Sequence, residues 1–330
     1  MTFAAQDAAS WLANPRATRE TLEAFGLATK HRLGQNFLVE DNIIRKIIRL
    51  AELTSDDVVL EVGPGLGTLT VAMLDYVRAV CSIEADRELE GVLATTCKEP
   101  HQDSFVLCMG DALKATPQLV GDAYASLGVF ADAQGKEASG ALIGPNKFVS
   151  NLPYQVAATL ILLFFQEFAT LEQAVVMVQA EVADRIAAKP KTKAYGAYTA
   201  KLALYAQVSG RFEVAPGNFM PPPRVNSAVV RLERAPMTDP SGTSVLTSEQ
   251  LFWVARVIDA AFAQRRKTIR NSMGASGFKK DTLERALLAA HIEPTVRAEA
   301  LGVKDFVRLA MALAEGGAYG EETAFVHGRR

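Results

Sequence analysis

The sequence predicts an α/β fold: a mostly parallel sheet wrapped by helices, ending in a late antiparallel hairpin and followed by a small helical C-terminal domain. Three observations predict it. Short apolar runs at 58–62, 80–83, 105–108, 147–150 and 175–178 alternate with segments of helical period. Asn226 to Leu232 alternates apolar with polar residues, as a half-buried strand does. Beyond a polar stretch at 236–248 the period is helical only. A chain of 330 residues has room for one large or two unequal domains, and 49% hydrophobic against 22% charged residues rules out a mostly disordered chain.

Each element follows from its residues. Residues 1–33 read as a leader in which Thr18 to Leu27 forms a short helix, with Leu22, Phe25 and Leu27 apolar. Asp41 is placed to cap a helix whose Ile43, Ile44, Ile47, Ile48 and Ala51 share one face. The strand Val58–Val62 runs into Gly63-Pro64-Gly65-Leu66-Gly67 and a helix from Thr68 to Val77. The second strand ends in Glu84, with a helix over 86–96; the third closes at Gly110-Asp111. Residues 113–146, rich in Gly, Ala and Ser, read as a surface excursion that is helical in part. The fourth strand closes at Asn151-Leu152-Pro153-Tyr154. Helices are expected at 181–188 and 197–208, late strands at 212–214 and 226–232, then helices at 251–262, 280–290 and 303–314. The resulting division is a leader (1–33), a sheet domain (34–235), a linker (236–248), a helical domain (249–315) and a tail (316–330).

Composition removes several function classes. Cys81, Cys97 and Cys108 have no CxxC spacing, which fits reduced thiols in a cytoplasmic protein and no metal ribbon. The N-terminus has no basic segment leading into an apolar run, so no signal peptide is expected. Val156 to Phe165, the most apolar segment, is too short to span a bilayer. His31, His101, His291 and His327 are scattered, and no metal site is expected.

The chemistry gathers at strand ends. A glycine loop between strand and helix lets the backbone turn tightly and approach a ligand, although alone it also fits a plain structural turn. Thr68 stands where a dinucleotide site wants a third glycine, which disfavours a nicotinamide cofactor. Glu84 can accept both hydroxyls of a ribose, and Asp111 can accept from an adenine amino group; the plainer reading of Asp111 is a turn cap. Asn151 with a backbone carbonyl held by Pro153 can accept both N–H bonds of an exocyclic amine, and Tyr154 offers a face for stacking. Ligands of open α/β sheets bind where such strand ends converge.

In that order the motifs resemble a known family, the small-subunit ribosomal RNA adenine dimethyltransferases. The resemblance covers roughly residues 30–315. It rests on Leu33-Gly-Gln-Asn-Phe-Leu38, Leu60-Glu-Val-Gly-Pro-Gly-Leu-Gly-Thr-Leu-Thr70, Ile83-Glu-Ala-Asp86, Asn151-Leu-Pro-Tyr154, Tyr195-Gly196, Phe219-Met-Pro-Pro-Pro-Arg-Val-Asn-Ser227 and Gln264-Arg-Arg-Lys-Thr-Ile-Arg-Asn-Ser272. It implies a Rossmann-like class I methyltransferase sheet, with S-adenosylmethionine as cofactor, that dimethylates N6 of two adjacent adenines in small-subunit (16S) rRNA. Asn36 and Leu38 are then expected to line the cofactor pocket, Gly63 to contact its methionine part, Glu84 its ribose and Asp111 its adenine. Asn151 is expected to bridge cofactor and base. Tyr154 and Phe219 are expected to sandwich a flipped adenine, with the Leu152 carbonyl as second acceptor. The long 113–146 stretch and Ser150 before Asn151 depart from the family pattern.

The expected partners are small-subunit rRNA and the pre-ribosomal small subunit, bound by a monomer in the cytoplasm, with a role in small-subunit biogenesis. Net charge is only −2, yet residues 251–280 carry net +6 and residues 181–201 net +3. Arg265, Arg266, Lys267 and Arg270 are the expected phosphate contacts. Three other readings compete: the related large-subunit enzymes, a non-enzymatic assembly factor, and a nicotinamide-dependent oxidoreductase.

Overall fold

The computed structural model describes residues 10–27, 35–129 and 143–317. Residues 130–142 of the 113–146 excursion and residues 318–330 of the tail lie outside the described residues. The chain forms two compact units, Met1–Ala183 with Val208–Arg234, and Asp184–Gln207 with Ala235–Arg330.

The first unit begins with α1 (Pro15–Ala24), capped by the Asn14 side chain. This is the short helix of the leader, shifted toward the N-terminus. Leu12 and Leu22 belong to the sheet unit's main core. A two-residue strand β1 (Phe37–Leu38) precedes α2 (Asp41–Ala51). The cap of α2 is Glu40 rather than Asp41. Asp41 is drawn away by Arg45 (2.6 Å) and by the Ser10 amide (3.1 Å). The five apolar residues of α2 are buried as their spacing requires.

Then come β2 (Val58–Val62), α3 (Thr68–Leu74), β3 (Ala79–Glu84), α4 (Glu90–Leu93), β4 (Phe105–Met109), α5 (Pro117–Ser126), β5 (Lys147–Asn151), α6 (Ala157–Glu167) and β6 (Gln173–Gln179). The helix expected over 86–96 is broken into a 3-10 turn, α4 and a π-turn at Ala94–Lys98. Within the excursion α5 is capped by Thr116, and Tyr124 is fully buried with its hydroxyl donating to the Val59 carbonyl at 2.8 Å.

Next are α7 (Ala180–Ile186), α8 (Ala197–Leu202), β7 (Ala206–Val214), β8 (Phe219–Met220) and β9 (Ser227–Arg234). The helix expected over 197–208 stops at Leu202, and residues from 206 join β7 instead. The seven-stranded sheet has the order β4-β3-β2-β5-β6-β9-β7. Strands β2 to β6 run parallel and β9 pairs antiparallel with β6, Val176 opposite Val230. The order reverses between β2 and β5. Only two residue pairs join those strands in register, Val59 with Lys147 and Leu60 with Phe148. Further on, the Ser150 hydroxyl donates to the Val62 carbonyl at 2.6 Å. The serine that departs from the family pattern thus stitches the strands together beside the crevice.

The opposite end of these strands is held by a buried ion pair. Lys147 Nζ lies 3.0 Å from Asp57 Oδ2 and also donates to the Ala51 and Glu52 carbonyls. The Asn146 amide donates to the other Asp57 oxygen at 2.7 Å.

The second unit contains α9 (Ser248–Phe262), α10 (Ile269–Ala275), α11 (Lys280–Ala289) and α12 (Val303–Glu315). Its core includes Trp253, Ile258, Met273, Leu287 and Phe306. Thr247 and Gln250 form a reciprocal capping box at the start of α9. Trp253 Nε1 donates to the Ala310 carbonyl at 2.8 Å, and the Tyr195 hydroxyl to that of Leu301 at 2.8 Å.

Candidate active site at the sheet's reversal point

An open α/β sheet leaves a crevice where its strand order reverses. Here a cavity of about 250 Å³ occupies that crevice, outside the C-terminal ends of β2, β3, β4 and β5. Its lining includes Asn36, Leu38, Gly63, Glu84, Asp111, Asn151, Leu152 and Tyr154.

The glycine loop forms the floor. Gly63, Gly65 and Gly67 have φ of 67°, 62° and 90°, a region that suits glycine. A Cβ on Gly63 would sit 3.2 Å from Pro153, and one on Gly67 would run into Cys97 Sγ. Thr68 opens α3 and also lines the cavity.

Two carboxylates sit under and beside this loop. Glu84 ends β3 and is 8% exposed. Its Oε1 accepts the Asp86 amide at 2.8 Å and its Oε2 the Gly65 amide at 3.4 Å. Burial nevertheless raises its pKa above the ordinary carboxylate value. Glu61 is deeper, at 1% exposure, and one of its oxygens accepts both the Thr70 and the Ser82 hydroxyls at 2.7 Å. Burial outweighs these bonds and pushes its pKa up to about 7. Asp111 follows β4 and caps a 3-10 turn through Leu113 N (3.0 Å), the plainer of the two roles its sequence position allows.

The acceptor end of the cavity is the loop after β5. Asn151 Nδ2 donates to the Asn36 carbonyl at 3.5 Å, which joins this loop to the segment before the sheet. The Leu152 amide donates to Met177 O at 3.1 Å and so fixes the peptide that Pro153 follows. The Tyr154 hydroxyl shares a 2.7 Å hydrogen bond with Ser227 Oγ, anchoring the ring by its far end.

Phe219 stands apart from the other expected residues. It is 3% exposed, belongs to the main core and does not line the cavity. Its strand β8 pairs with β1, Leu38 opposite Phe219 and Phe37 opposite Met220. Two further lining residues, Gln35 and Phe37, are not among the contacts expected from the sequence, while Asp86, whose sequence position allows a helix cap or a second cofactor contact, both caps a 3-10 turn and lines the cavity. Gln35 Nε2 donates to Asp86 Oδ2 at 2.9 Å, and Phe37 covers Gly65. Gln35 and Phe37 lie within the family motif Leu33–Leu38, the only signal that points to them.

The electrostatics select the ligand class. Among the described residues the lining carries four acidic side chains, Glu61, Glu84, Asp86 and Asp111, of which burial leaves Glu61 only partly ionised near neutral pH, and no lysine or arginine. An anionic pyrophosphate would find no counter-charge there. A nucleoside carrying a sulfonium and an ammonium group fits this acidic, glycine-floored cavity.

The phosphate-contact candidates lie in the second unit. Arg265 Nη2 donates to the Lys193 carbonyl at 2.9 Å, and its Nε lies 3.5 Å from Glu299. The two basic stretches, far apart in sequence, therefore meet on one surface. Arg270 pairs with Glu284 at 3.0 Å. Ser272 Oγ accepts the Gln264 amide (3.0 Å) and donates to Ala260 O (2.9 Å), which pins the turn bearing Arg265, Arg266 and Lys267.

Residues 26–315 match the family model described as ribosomal RNA adenine dimethylase. The ribosomal RNA small subunit methyltransferase A of Kineococcus radiotolerans is 38% identical over 307 residues, covering 92% of this chain and 93% of that protein. The protein of the same name from Rhodococcus erythropolis is 39% identical, covering 91% and 93%. Among solved structures, a dimethyladenosine transferase from Plasmodium falciparum shares the fold with a TM-score of 0.67 at 23% identity, covering 85% of this chain and 98% of that one.

Proposed function

The chain belongs to the ribosomal RNA adenine dimethylase family, and from that premise we propose how its residues carry out the reaction. It is an S-adenosylmethionine-dependent enzyme that dimethylates adenines in small-subunit (16S) rRNA. The observation that carries the assignment to residues is the acidic, cation-free cavity with Asn151 and Tyr154 at one end.

Glu84 takes the ribose hydroxyls, Asp111 the adenine amino group, and Gly63 the methionine part, with Asn36 and Leu38 as walls. Bound there, S-adenosylmethionine supplies a methyl group activated by its sulfonium. The N6 nitrogen of adenine is a poor nucleophile because its lone pair is delocalised into the ring. Asn151 Oδ1 and the Leu152 carbonyl accept its two N–H bonds and favour a pyramidal nitrogen with a localised lone pair. Their dipoles also stabilise the positive charge that develops on it. Tyr154, tethered through Ser227, fixes the base by stacking, so the gain is largely one of positioning. Phe219, buried beside Leu38 in the β1–β8 ladder, is the proposed second face of the sandwich. No general base is required, because the product ammonium is acidic enough to lose its proton to water.

A base inside a helix cannot reach such a cavity, so the adenine is flipped out of its stack. The substrate is two adjacent adenines within a pre-ribosomal small subunit, held by Arg265, Arg266, Lys267 and Arg270 through phosphates. The enzyme acts as a monomer in the cytoplasm, in small-subunit biogenesis. Among the described residues no helix is long and apolar enough to cross a membrane.

The test is methyl transfer from labelled S-adenosylmethionine to unmethylated small-subunit particles, followed by nucleoside analysis. Dimethyladenosine is the expected product. Absence of transfer with tight particle binding retained would favour a role in assembly alone.

A further inference from the structure

The helical unit carries a second cavity, of about 570 Å³, that shares no residue with the first. It is bounded by the turn at 264–268, by α10 and by the start of α11. We propose that this cavity is a site for one unpaired nucleotide of the RNA chain, distinct from the adenine to be methylated. The inference rests on the rRNA-binding reading above.

Charge comes first. Lys267, Arg270 and Lys280 line the cavity and no carboxylate does. Arg270 is already paired with Glu284. Lys267 and Lys280 have no acidic partner among the described residues, so their charge is available to a phosphate.

Charge alone would describe any solvated basic face. The remaining lining is what makes a nucleotide site. Gln264 and Asn271 bring two carboxamides, each with a donor and an acceptor, the groups that read a base edge. Gly274 leaves the α10 wall low, and buried Phe278 supplies an apolar floor for the flat face of a base or sugar. A continuous duplex cannot enter a concavity of this kind, whereas a nucleotide from a loop or bulge can.

The walls are also held in place. Ser272 ties the Gln264 amide to α9 through Ala260. Thr268 caps α10 by accepting the Asn271 amide, and the Ile269 amide donates to Val296 O at 2.7 Å. The backbone of the walls is thus fixed before binding.

The experiment uses the full chain and unmethylated small-subunit particles, with ultraviolet crosslinking read by mass spectrometry and RNA footprinting. The wild type is expected to give mononucleotide adducts on peptides spanning 264–280. Asn271→Ala is expected to lose protection of a single unpaired nucleotide, weaken particle binding about tenfold and leave the salt slope unchanged. Lys280→Ala is expected to lower that slope by about one. Both side chains are exposed, so neither change should disturb folding. Adducts confined to other peptides with identical footprints would overturn the site while leaving the rRNA reading intact. Crosslinks from these peptides to a ribosomal protein would replace the nucleotide by an acidic peptide. Failure of the wild type to bind the particle at all would overturn both readings.

Discussion

Leu38 pairs with Phe219 across a two-residue antiparallel ladder, and that pairing ties the cofactor wall to the loop expected to grip the target base. The link is extended by the Val39 amide, which donates to Asn218 O at 2.9 Å. Phe219 packs in the core, and its proposed second role at the base is open to test. Phe219→Leu, which keeps most of the buried volume, is expected to retain the fold and cofactor affinity while lowering kcat/KM on particles about tenfold. Phe219→Ala is expected to lose roughly 3 kcal/mol of stability as well, read by denaturant unfolding. Full activity of the leucine variant would remove the stacking role.

Glu84 predicts a pH-dependent cofactor affinity. Burial raises its pKa, and only the ionised carboxylate accepts from two ribose hydroxyls without donating. Affinity should therefore rise as pH rises through the Glu84 pKa. Glu84→Gln is expected to weaken binding about tenfold and flatten that dependence, both measured by calorimetry. An unchanged affinity would count against the ribose assignment.

Glu61 makes a prediction about stability. Its pKa is raised to about 7 from an ordinary 4.5, so the folded state holds the proton more tightly than the unfolded chain. Stability from this group is fully present below pH 4.5 and is lost as pH rises toward 7. The loss amounts to roughly 3 kcal/mol at most. Glu61→Gln keeps an acceptor for Thr70 and Ser82 and should flatten the unfolding free energy across that window. A wild-type curve with no decline there would show that the carboxylate is better solvated than its burial implies.

Lys147 anchors the end of the sheet away from the cavity. Removing one member of a buried pair strands the other, at a cost of about 3–5 kcal/mol. Lys147→Ala is expected to lower Tm strongly while leaving cofactor affinity unchanged at low temperature. A loss of affinity without a loss of stability would contradict this purely structural role.

Much of this arrangement is legible in the sequence. The strands β2 to β5 are apolar runs closed by the candidate site residues, so the hydrophobic pattern alone puts Gly63, Glu84, Asp111 and Asn151 at or just past strand ends. It does not place Leu38, which the β1–β8 ladder sets, or Asn36, which immediately precedes that ladder, because two-residue strands have no period. Phe219 has the same cause: its burial follows from that ladder rather than from its neighbours in sequence. Helix α6 buries Leu160, Ile161, Phe164 and Phe165, and an apolar run without a polar face reads equally well as strand or helix. The helix over 86–96 breaks up where the Thr96 hydroxyl donates to both Leu66 O and Val92 O at 3.0 Å. No local propensity reports that long-range contact with the glycine loop.

The central claim is that Asn151, which also lines the cofactor cavity, holds N6 of the adenine for methyl transfer. The most direct measurement is single-turnover methylation of unmethylated small-subunit particles by Asn151→Ala, alongside its S-adenosylmethionine affinity by calorimetry. The rate is expected to fall at least about a hundredfold and by more than any loss of cofactor affinity, with the unfolding midpoint close to wild type. A wild-type rate in that variant would contradict it.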